Sequence, residues 1–326
     1  MNKESVIPLW LKEILERGKL PKSFDIFKRK TSFALIQKFT TKLKFFNSID
    51  SLPLSKKDQK NIAFFRDGPF LPPSTGAVTS ILGEMEALTD KGFNVYLFYC
   101  FRGWCDPKLY QNRRFTTVFI KPEDFYTNKS VISGLIKAFG VYLCQLDSAE
   151  AVVAQSPLIH SDAKLVFEVH NIEYDLLSQL GANNKDVNYL KVKEIKAVRL
   201  SDLILFRSQQ NQELLEVIAG EIKNAKIYRG CINTDEIKFS ERDGRNKKIV
   251  FLGHLNYAPN AQAVDLIANK IAPNVDVEFF IAGAGSKKLE EKYKSTNLSF
   301  LGRIDDLNKL FSKVDIGLAP LITGSG

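Results

Sequence analysis

The stretch that decides the fold begins with Ile249-Val-Phe-Leu-Gly-His-Leu-Asn256, an apolar run that breaks at a glycine. The pattern recurs in Val277-Glu-Phe-Phe-Ile-Ala-Gly-Ala-Gly285 and in Leu298-Ser-Phe-Leu-Gly-Arg303. A fourth apolar run is Asp315-Ile-Gly-Leu-Ala-Pro-Leu-Ile322, and Thr323-Gly-Ser-Gly326 follows it. Continuous apolar strands that alternate with helical segments are typical of a parallel sheet covered on both faces. Ligands bind such sheets at the carboxyl ends of the strands, where these glycines lie.

The same alternation of strands and helices fills most of the preceding chain. With 326 residues, the chain is long enough for two domains. We therefore predict an α/β protein with two doubly wound, Rossmann-like domains: residues 61–237, a polar linker at 238–248, and residues 249–326. The last segment is shorter than a typical domain of roughly 100–150 residues, so we expect the second domain to be incomplete.

Within the first domain, the apolar runs predict the elements in order. Asn61–Arg66 reads as a strand, and a loop then leads to a helix over 77–91. The long apolar segment Val131–Leu146 predicts a helix, and Ala151–Gln155 predicts the strand after it. A further strand begins at Lys164 and ends near His170.

The positive charge of the chain belongs to one segment. Residues 1–60 hold 14 Lys and Arg against 6 Asp and Glu, and the rest of the chain is nearly balanced. This balance argues against an extended nucleic-acid surface on the body of the protein. Aromatic and apolar residues recur at helical spacing among the lysines of 1–60, which suits either an amphipathic helix on an anionic membrane or a helical extension packed on its own domain. Both interpretations stay open.

The cysteines give no support for a metal centre or a disulfide framework. Cys100, Cys105, Cys144 and Cys231 include no CxxC pair, and no histidine lies near them at metal-ligand spacing. Cys100 and Cys144 lie in apolar runs and are expected in the core. No early apolar run resembles a signal peptide, so we expect a cytoplasmic protein.

Candidate site residues lie where predicted strands end. Gly76 precedes the first predicted helix, whose N-terminus favours an anion. His170 ends one apolar strand of the first domain, and His254 follows the first strand of the second domain. A lone histidine is more often structural, but two at strand ends favour a functional interpretation.

A nicotinamide dehydrogenase is disfavoured by the glycine pattern. The fingerprint requires GxGxxG after the first strand of its domain. Gly253-His-Leu-Asn-Tyr-Ala258 fails this pattern, and Gly283-Ala-Gly-Ser-Lys-Lys288 lacks the third glycine. The acidic pair Asp305-Asp306 more plausibly begins a helix than binds a metal.

Four segments together resemble a known family. They are Phe167-Glu-Val-His-Asn-Ile-Glu173, Ser201-Asp-Leu-Ile-Leu-Phe-Arg-Ser208, Arg229-Gly-Cys-Ile-Asn-Thr-Asp-Glu-Ile-Lys-Phe239, and Val250–Asn260 with Ile281–Gly285 and Phe300–Arg303. In order and spacing they resemble the two-lobed GT-B glycosyltransferases of family 4, glycosyl transferases group 1. The first segment is similar to a His-Asn-x-Glu subgroup. The resemblance covers residues 61–326.

The resemblance implies retaining transfer of a hexose from a nucleotide-sugar, which is a substrate rather than a cofactor, to a glycan, lipid-linked or other acceptor. It implies no active-site metal, and a role in cell-envelope polysaccharide synthesis at the inner face of the membrane. His170 would be the catalytic residue at the reacting sugar. The residues implied to bind the donor are Gly76, Gly253, His254, Gly283, Thr323, Gly324, Ser325 and Gly326.

Two departures from the family pattern separate this sequence from its relatives. Many relatives have an Arg and a Lys after the first strand of the donor domain, where this chain has Asn256-Tyr-Ala-Pro-Asn260. The basic residues and paired glutamates that follow Gly-Ser-Gly in the subgroup are absent, because the sequence ends at Gly326. We therefore expect a C-terminally truncated chain with little or no turnover by itself. A non-catalytic two-lobed protein that binds sugars or nucleotides is the alternative.

Overall fold

Two separate parallel sheets, of eight and four strands, organise the chain. The computed structural model describes residues 44–45, 58–73, 75–102, 106–110, 113–159, 163–230, 238–239, 241, 247–293 and 297–324. Among these, the first lobe holds the residues up to 177 and 183–230, and the second lobe holds 178–182 and 238–324. The prediction of two parallel α/β domains is confirmed.

The first lobe is built on an eight-stranded sheet. Its strands are β1 (Lys44–Phe45), β2 (Asp58–Arg66), β3 (Asn94–Cys100), β4 (Thr116–Ile120), β5 (Val141–Leu146), β6 (Lys164–Val169), β7 (Leu203–Phe206) and β8 (Ala225–Ile227). They pair in parallel in the order β1-β4-β3-β2-β5-β6-β7-β8. The chain moves outward from β2 to one edge and then from β5 to the other. The switch point, where such sheets bind ligands, therefore lies between β2 and β5.

Helices cover both faces of this sheet. They are α1 (Gly76–Asp90), α2 (Pro122–Thr127), α3 (Lys129–Ala138), α4 (Ala149–Ile159), α5 (Glu173–Gln179), α6 (Asn184–Leu200) and α7 (Gln209–Ala219), with a 3-10 turn at Pro107–Tyr110. Successive residues of β3 enter opposite cores: Leu97 and Tyr99 pack in one, Phe98 and Cys100 in the other. Because side chains alternate across a strand, a strand buried on both faces is apolar throughout.

The helix predicted over Val131–Leu146 is wrong in its second half. Helix α3 begins after Asn128, whose Oδ1 accepts a hydrogen bond from the Val131 amide at 3.3 Å. It ends at Ala138, and Gly140 then takes a left-handed φ of +56°. Residues 141–146 form β5, between β2 and β6, and the predicted strand at 151–155 lies in α4. An apolar run of this length does not separate a helix from a buried strand, and Gly140 was the missed boundary signal.

The N-terminal segment is described only in part. Lys44–Phe45 lie inside the predicted amphipathic segment, but they form β1 beside β4, so the helix prediction is wrong at these two residues. The rest of the segment up to residue 57, and with it the choice between membrane and packed extension, lies outside the described residues. So do Cys105, Cys231 and most of the predicted linker. Cys100 and Cys144 are buried, as predicted.

The second lobe contains the four strands that were predicted from residues 249–322. They are β9 (Lys248–Leu252), β10 (Glu278–Ala282), β11 (Leu298–Gly302) and β12 (Ile316–Gly317), parallel and ordered β11-β10-β9-β12. Its helices are α8 (Ala258–Leu266), extended by a π-helical turn at Ile267–Ile271 and a 3-10 turn at Ala272–Asn274, and α9 (Leu307–Phe311), with a 3-10 turn at Ser286–Leu289. In the part of the chain that is described, no helix is long and apolar enough to cross a membrane.

Candidate functional site

An ion pair spans the switch point of the first lobe. Arg66 is the last residue of β2, and its guanidinium pairs with the carboxylate of Asp147, which directly follows β5. Both side chains are largely buried. The carboxyl ends of the parallel strands lie at this edge of the sheet. Here the positive charge of Arg66, at the end of β2, is paired with the negative charge of Asp147, after β5. In α/β sheets, ligands bind in a crevice at this edge, and here a buried ion pair lies at that position.

The loop that leads to α1 is anchored by a second ion pair. Asp67 accepts hydrogen bonds from Nε and Nη2 of Arg102 at 2.7 and 2.6 Å, and the hydroxyl of Tyr126 also donates to it. The Tyr99 hydroxyl donates to the Gly68 carbonyl at 2.7 Å. Bidentate pairing of this kind fixes geometry as well as energy. The loop is thus tied to the ends of β2 and β3.

The predicted anion position at Gly76 is open. Thr75 caps α1 by accepting a hydrogen bond from the Val78 amide at 3.3 Å, and the first turn contains no acidic residue. A Cβ built on Gly76 meets nothing within 4 Å. Unpaired N–H groups and the helix dipole favour an anion here. The role of Gly76 in donor binding stays a prediction.

His170 follows β6 at the carboxyl edge, as predicted, and lies against a buried carboxylate. Its Nε2 is 3.5 Å from Oε1 of Glu168, and the same oxygen accepts a hydrogen bond from Nη2 of Arg207. Burial acts to raise the pKa of Glu168, but His170, Arg207 and a hydrogen bond from Gln145 outweigh it and lower that pKa. We call these four residues, together with Glu84, the His170 cluster.

The His170 cluster extends to α1. Nε2 of Gln145 donates to Glu168 at 2.7 Å and lies 3.0 Å from Glu84 Oε2. Burial, and then the charge of Glu168, raises the pKa of Glu84 to about 7. Glu84 lies on α1, whose first residue is Gly76. The predicted anion position and the His170 cluster therefore share one helix.

Two further carboxyl groups, those of Glu173 and Glu194, lie near the start of α5. Glu194 accepts hydrogen bonds from the backbone amides of Glu173 and Tyr174 at 2.7 and 3.3 Å. Burial raises the pKa of Glu194 to about 8 and that of Glu173 to about 7. Glu173 accepts a hydrogen bond from Asn171 at 3.2 Å through Oε1. Both carboxyl groups near the start of α5 therefore have raised pKa values.

Glycine backbone forms the carboxyl edge of the second lobe, which we call the glycine edge. Gly253 donates to the Ala282 carbonyl at 3.0 Å, and Gly283 donates to the Gly302 carbonyl at 2.7 Å. A Cβ built on Gly283 would lie 1.9 Å from the Gly253 carbonyl oxygen, and Gly283 has a φ of +126°. Only glycine fits such an approach. The structure therefore brings the predicted Gly253 and Gly283 into contact.

Helix α8 connects the glycine edge to the predicted loop at the end of the chain. Asn260 donates to the His254 carbonyl at 3.0 Å, and Thr323 donates to Oε1 of Gln262 at 2.5 Å. The helix begins after Tyr257 without a side-chain cap and without an acidic residue in its first turn. Such an end is suited to an anion. Ser325 and Gly326 lie outside the described residues.

Sequence reasoning found the histidine but missed its partners. Glu168 interrupts the apolar strand β6, and Arg66 and Arg207 each end an apolar strand. A charged residue inside or at the end of a buried strand is the signal that was available, because such residues are rarely buried without a partner. Among the described residues, no group of three or more His, Cys, Asp or Glu is placed to hold a metal ion.

The second lobe resembles a known protein family in sequence. Residues 246–326 match the family model described as "Glycosyl transferases group 1". This segment contains the glycine edge. A search of curated proteins finds no match.

Solved structures share the fold of most of this chain at low identity. Sucrose-phosphate synthase from Thermosynechococcus elongatus is 13% identical with a TM-score of 0.66, over 82% of this chain and 76% of that one. Anabaena HepE in complex with UDP and glucose is 14% identical with a TM-score of 0.57, over 78% and 73%. TarM, from S. aureus, is 8% identical with a TM-score of 0.62, over 82% and 81%.

The fold is that of the GT-B glycosyltransferases. The expected fold class is therefore confirmed, and the segment from residue 246 matches the expected glycosyltransferase family.

The first prediction concerns the glycine edge. Gly283→Ala should lower the free energy of unfolding of the second lobe by about 3 kcal/mol or more, because a methyl group would overlap the Gly253 carbonyl in a left-handed backbone. Differential scanning calorimetry measures the change. Gly317→Ala is the control, since its Cβ meets nothing within 4 Å. Equal melting temperatures for the two variants would contradict this account.

The second prediction concerns pH. The pKa of Glu173 is about 7 in the folded chain, above the ordinary value of 4.5. Between these values the unfolded chain is ionised while the folded chain keeps its proton, so stability falls as pH rises through that window. Glu173→Gln should remove this loss and gain at most about 3 kcal/mol over wild type at pH 8, with little gain at pH 5.

Thermal unfolding of the wild type and the variant at both pH values measures this gain. Glu221→Gln is the matched control, because the Glu221 side chain is 77% exposed. A gain for Glu173→Gln that is equal at pH 5 and pH 8 would show that burial does not perturb this carboxyl group.

Proposed function

We propose that this chain is a nucleotide-sugar-dependent glycosyltransferase of the retaining, hexose-transferring type. The observation that carries the proposal is the match of residues 246–326 to group 1 glycosyltransferases, because the matched segment contains the glycine edge. Helix α8 begins beside the glycine edge without a side-chain cap, and such a helix start can bind phosphate oxygens without a metal ion. Gly253, His254, Gly283 and the loop from Thr323 would bind the donor.

The first lobe would supply the reacting centre. The N-terminus of α1 at Gly76 is an open anion position, and His170 lies at the same sheet edge beside charged groups that fix it. We infer that His170 contacts the reacting sugar and that Gly76 faces the donor diphosphate. Preorganised charges of this kind stabilise a transition state without reorganisation.

The structural relatives suggest the substrate class. HepE is described with UDP-glucose, and TarM with UDP and alpha-GlcNAc-glycerol. We infer a UDP-hexose donor and a glycan or lipid-linked acceptor, as in cell-envelope polysaccharide synthesis. We also infer a cytoplasmic location, with residues 1–60 available to contact an anionic membrane at its inner face.

The third prediction is that the chain binds UDP-glucose. Isothermal titration calorimetry should give a Kd for UDP-glucose and for UDP between about 1 μM and 1 mM, the usual range for enzyme substrates. NAD is the control ligand, because the chain lacks the GxGxxG pattern and should not bind it. Absence of UDP-glucose binding up to about 1 mM, or preferential binding of NAD, would contradict the proposed function.

Release of UDP from UDP-glucose separates an enzyme from a binding protein. His170→Ala should lower any measured release at least about tenfold while the Kd for UDP changes little, because the histidine acts at the sugar and UDP lies on the glycine edge. Since little or no turnover is expected from residues 1–326 by themselves, a chain extended beyond residue 326 separates the two functions: tight binding without release by that chain would favour the non-catalytic alternative. Unchanged release by the variant would remove His170 from the mechanism.

A further inference from the structure

Glu168 lies in the interior of β6, two residues before His170. Side chains at this spacing project from the same face of a strand. The Glu168 side chain is fully buried, with a residue exposure of 0%. An ionised carboxylate in this position is strongly unfavourable unless it is paired and hydrogen-bonded. Its partners therefore indicate what it does.

Both oxygens of Glu168 have defined neighbours. Oε2 accepts the hydrogen bond from Gln145 at 2.7 Å, and Oε1 accepts from Nη2 of Arg207. The guanidinium carbon of Arg207 also lies 5.0 Å from the centre of the Tyr228 ring, within the range of a cation–π contact. These contacts fix the plane of the carboxylate. Oε1 is thereby presented to the imidazole of His170.

Of the two imidazole nitrogens of His170, Nε2 is the one that lies near Oε1 of Glu168. Nε2 is buried, 3.5 Å from Oε1, and makes no hydrogen bond within the described part of the chain. The nitrogen available to a substrate is therefore Nδ1. The distance is slightly longer than a hydrogen bond, and catalytic hydrogen bonds often shorten when the substrate binds.

The two neutral tautomers of His170 differ in their interaction with Glu168. A proton on Nε2 points at the carboxylate oxygen, whereas a lone pair on Nε2 faces a negative charge. In the first case Nδ1 is an acceptor, and in the second it is a donor. Arg207 already neutralises Glu168, so the pair does not require a charged imidazole.

We propose that Glu168 is a positioning residue that accepts the Nε2 proton of His170 and keeps Nδ1 as the acceptor toward the substrate. The residue does not touch the reacting sugar. It acts through the histidine, and Arg207 and Gln145 hold it in place. The consequence for catalysis rests on the proposed function, but the tautomer of the ring can be measured without any substrate.

Nitrogen-15 NMR of the labelled chain tests the proposal. The chain has 3 histidines, and loss of one set of imidazole signals in His170→Gln assigns the residue. In the wild type, neutral His170 should show the Nε2–H tautomer. Replacing the pair together, by Glu168→Met with Arg207→Met, should move the tautomer ratio toward Nδ1–H by about tenfold, since one hydrogen bond to a charged group is lost. The double change avoids leaving either charge buried alone.

Glu84→Gln is the matched control, because Glu84 contacts Gln145 and not the imidazole. It should leave the His170 tautomer unchanged. A wild-type spectrum with Nδ1–H as the main form overturns the proposal, even if the double variant does not fold. An unchanged ratio in a folded double variant also overturns it. Failure to bind UDP-glucose would instead contradict the proposed function and leave these spectra unaffected.

Discussion

The ionised carboxylate of Glu168 inside a parallel sheet is the constraint on which the first lobe depends. Removing either partner of a buried charge pair leaves an uncompensated charge, which typically costs about 3–5 kcal/mol. Arg207, directly after β7, and Gln145, on β5, donate hydrogen bonds to this carboxylate from the two strands that flank β6. Arg66 and Asp147 repeat the arrangement at the switch point. The edge where a ligand would bind is therefore held by pairs whose members come from different strands.

The strand ends of the second lobe are held by backbone contacts between glycines rather than by charged side chains. Its carboxyl edge contains close backbone contacts between Gly253, Gly283 and Gly302, with hydrogen bonds of 2.7–3.0 Å. The start of α8, which has no side-chain cap, lies beside this edge, and such a helix start favours phosphate oxygens. Charged side chains fix a histidine in one lobe, and closely packed glycine backbone forms the strand ends of the other.

Local patterns in the sequence were enough for the strand ends and for most of the elements. The glycine after each apolar run predicted the second sheet, and His170 was placed at the correct edge. The run from Val131 was misassigned, because a buried strand and a buried helix have the same apolar composition and only Gly140 marked the boundary. Apart from Glu168, the other members of the His170 cluster come from α1, β5 and the end of β7, which are distant in sequence. Their contacts follow from strand order, which no local pattern specifies.

Hydrogen exchange with and without UDP-glucose tests the central claim most directly, because it reports binding at individual backbone amides. The account predicts slower exchange in 253–257, 283–286 and 302–303 when UDP-glucose is present, and no change with NAD. Unchanged exchange in all three segments at a saturating concentration of UDP-glucose, or protection confined to other parts of the chain, would contradict it.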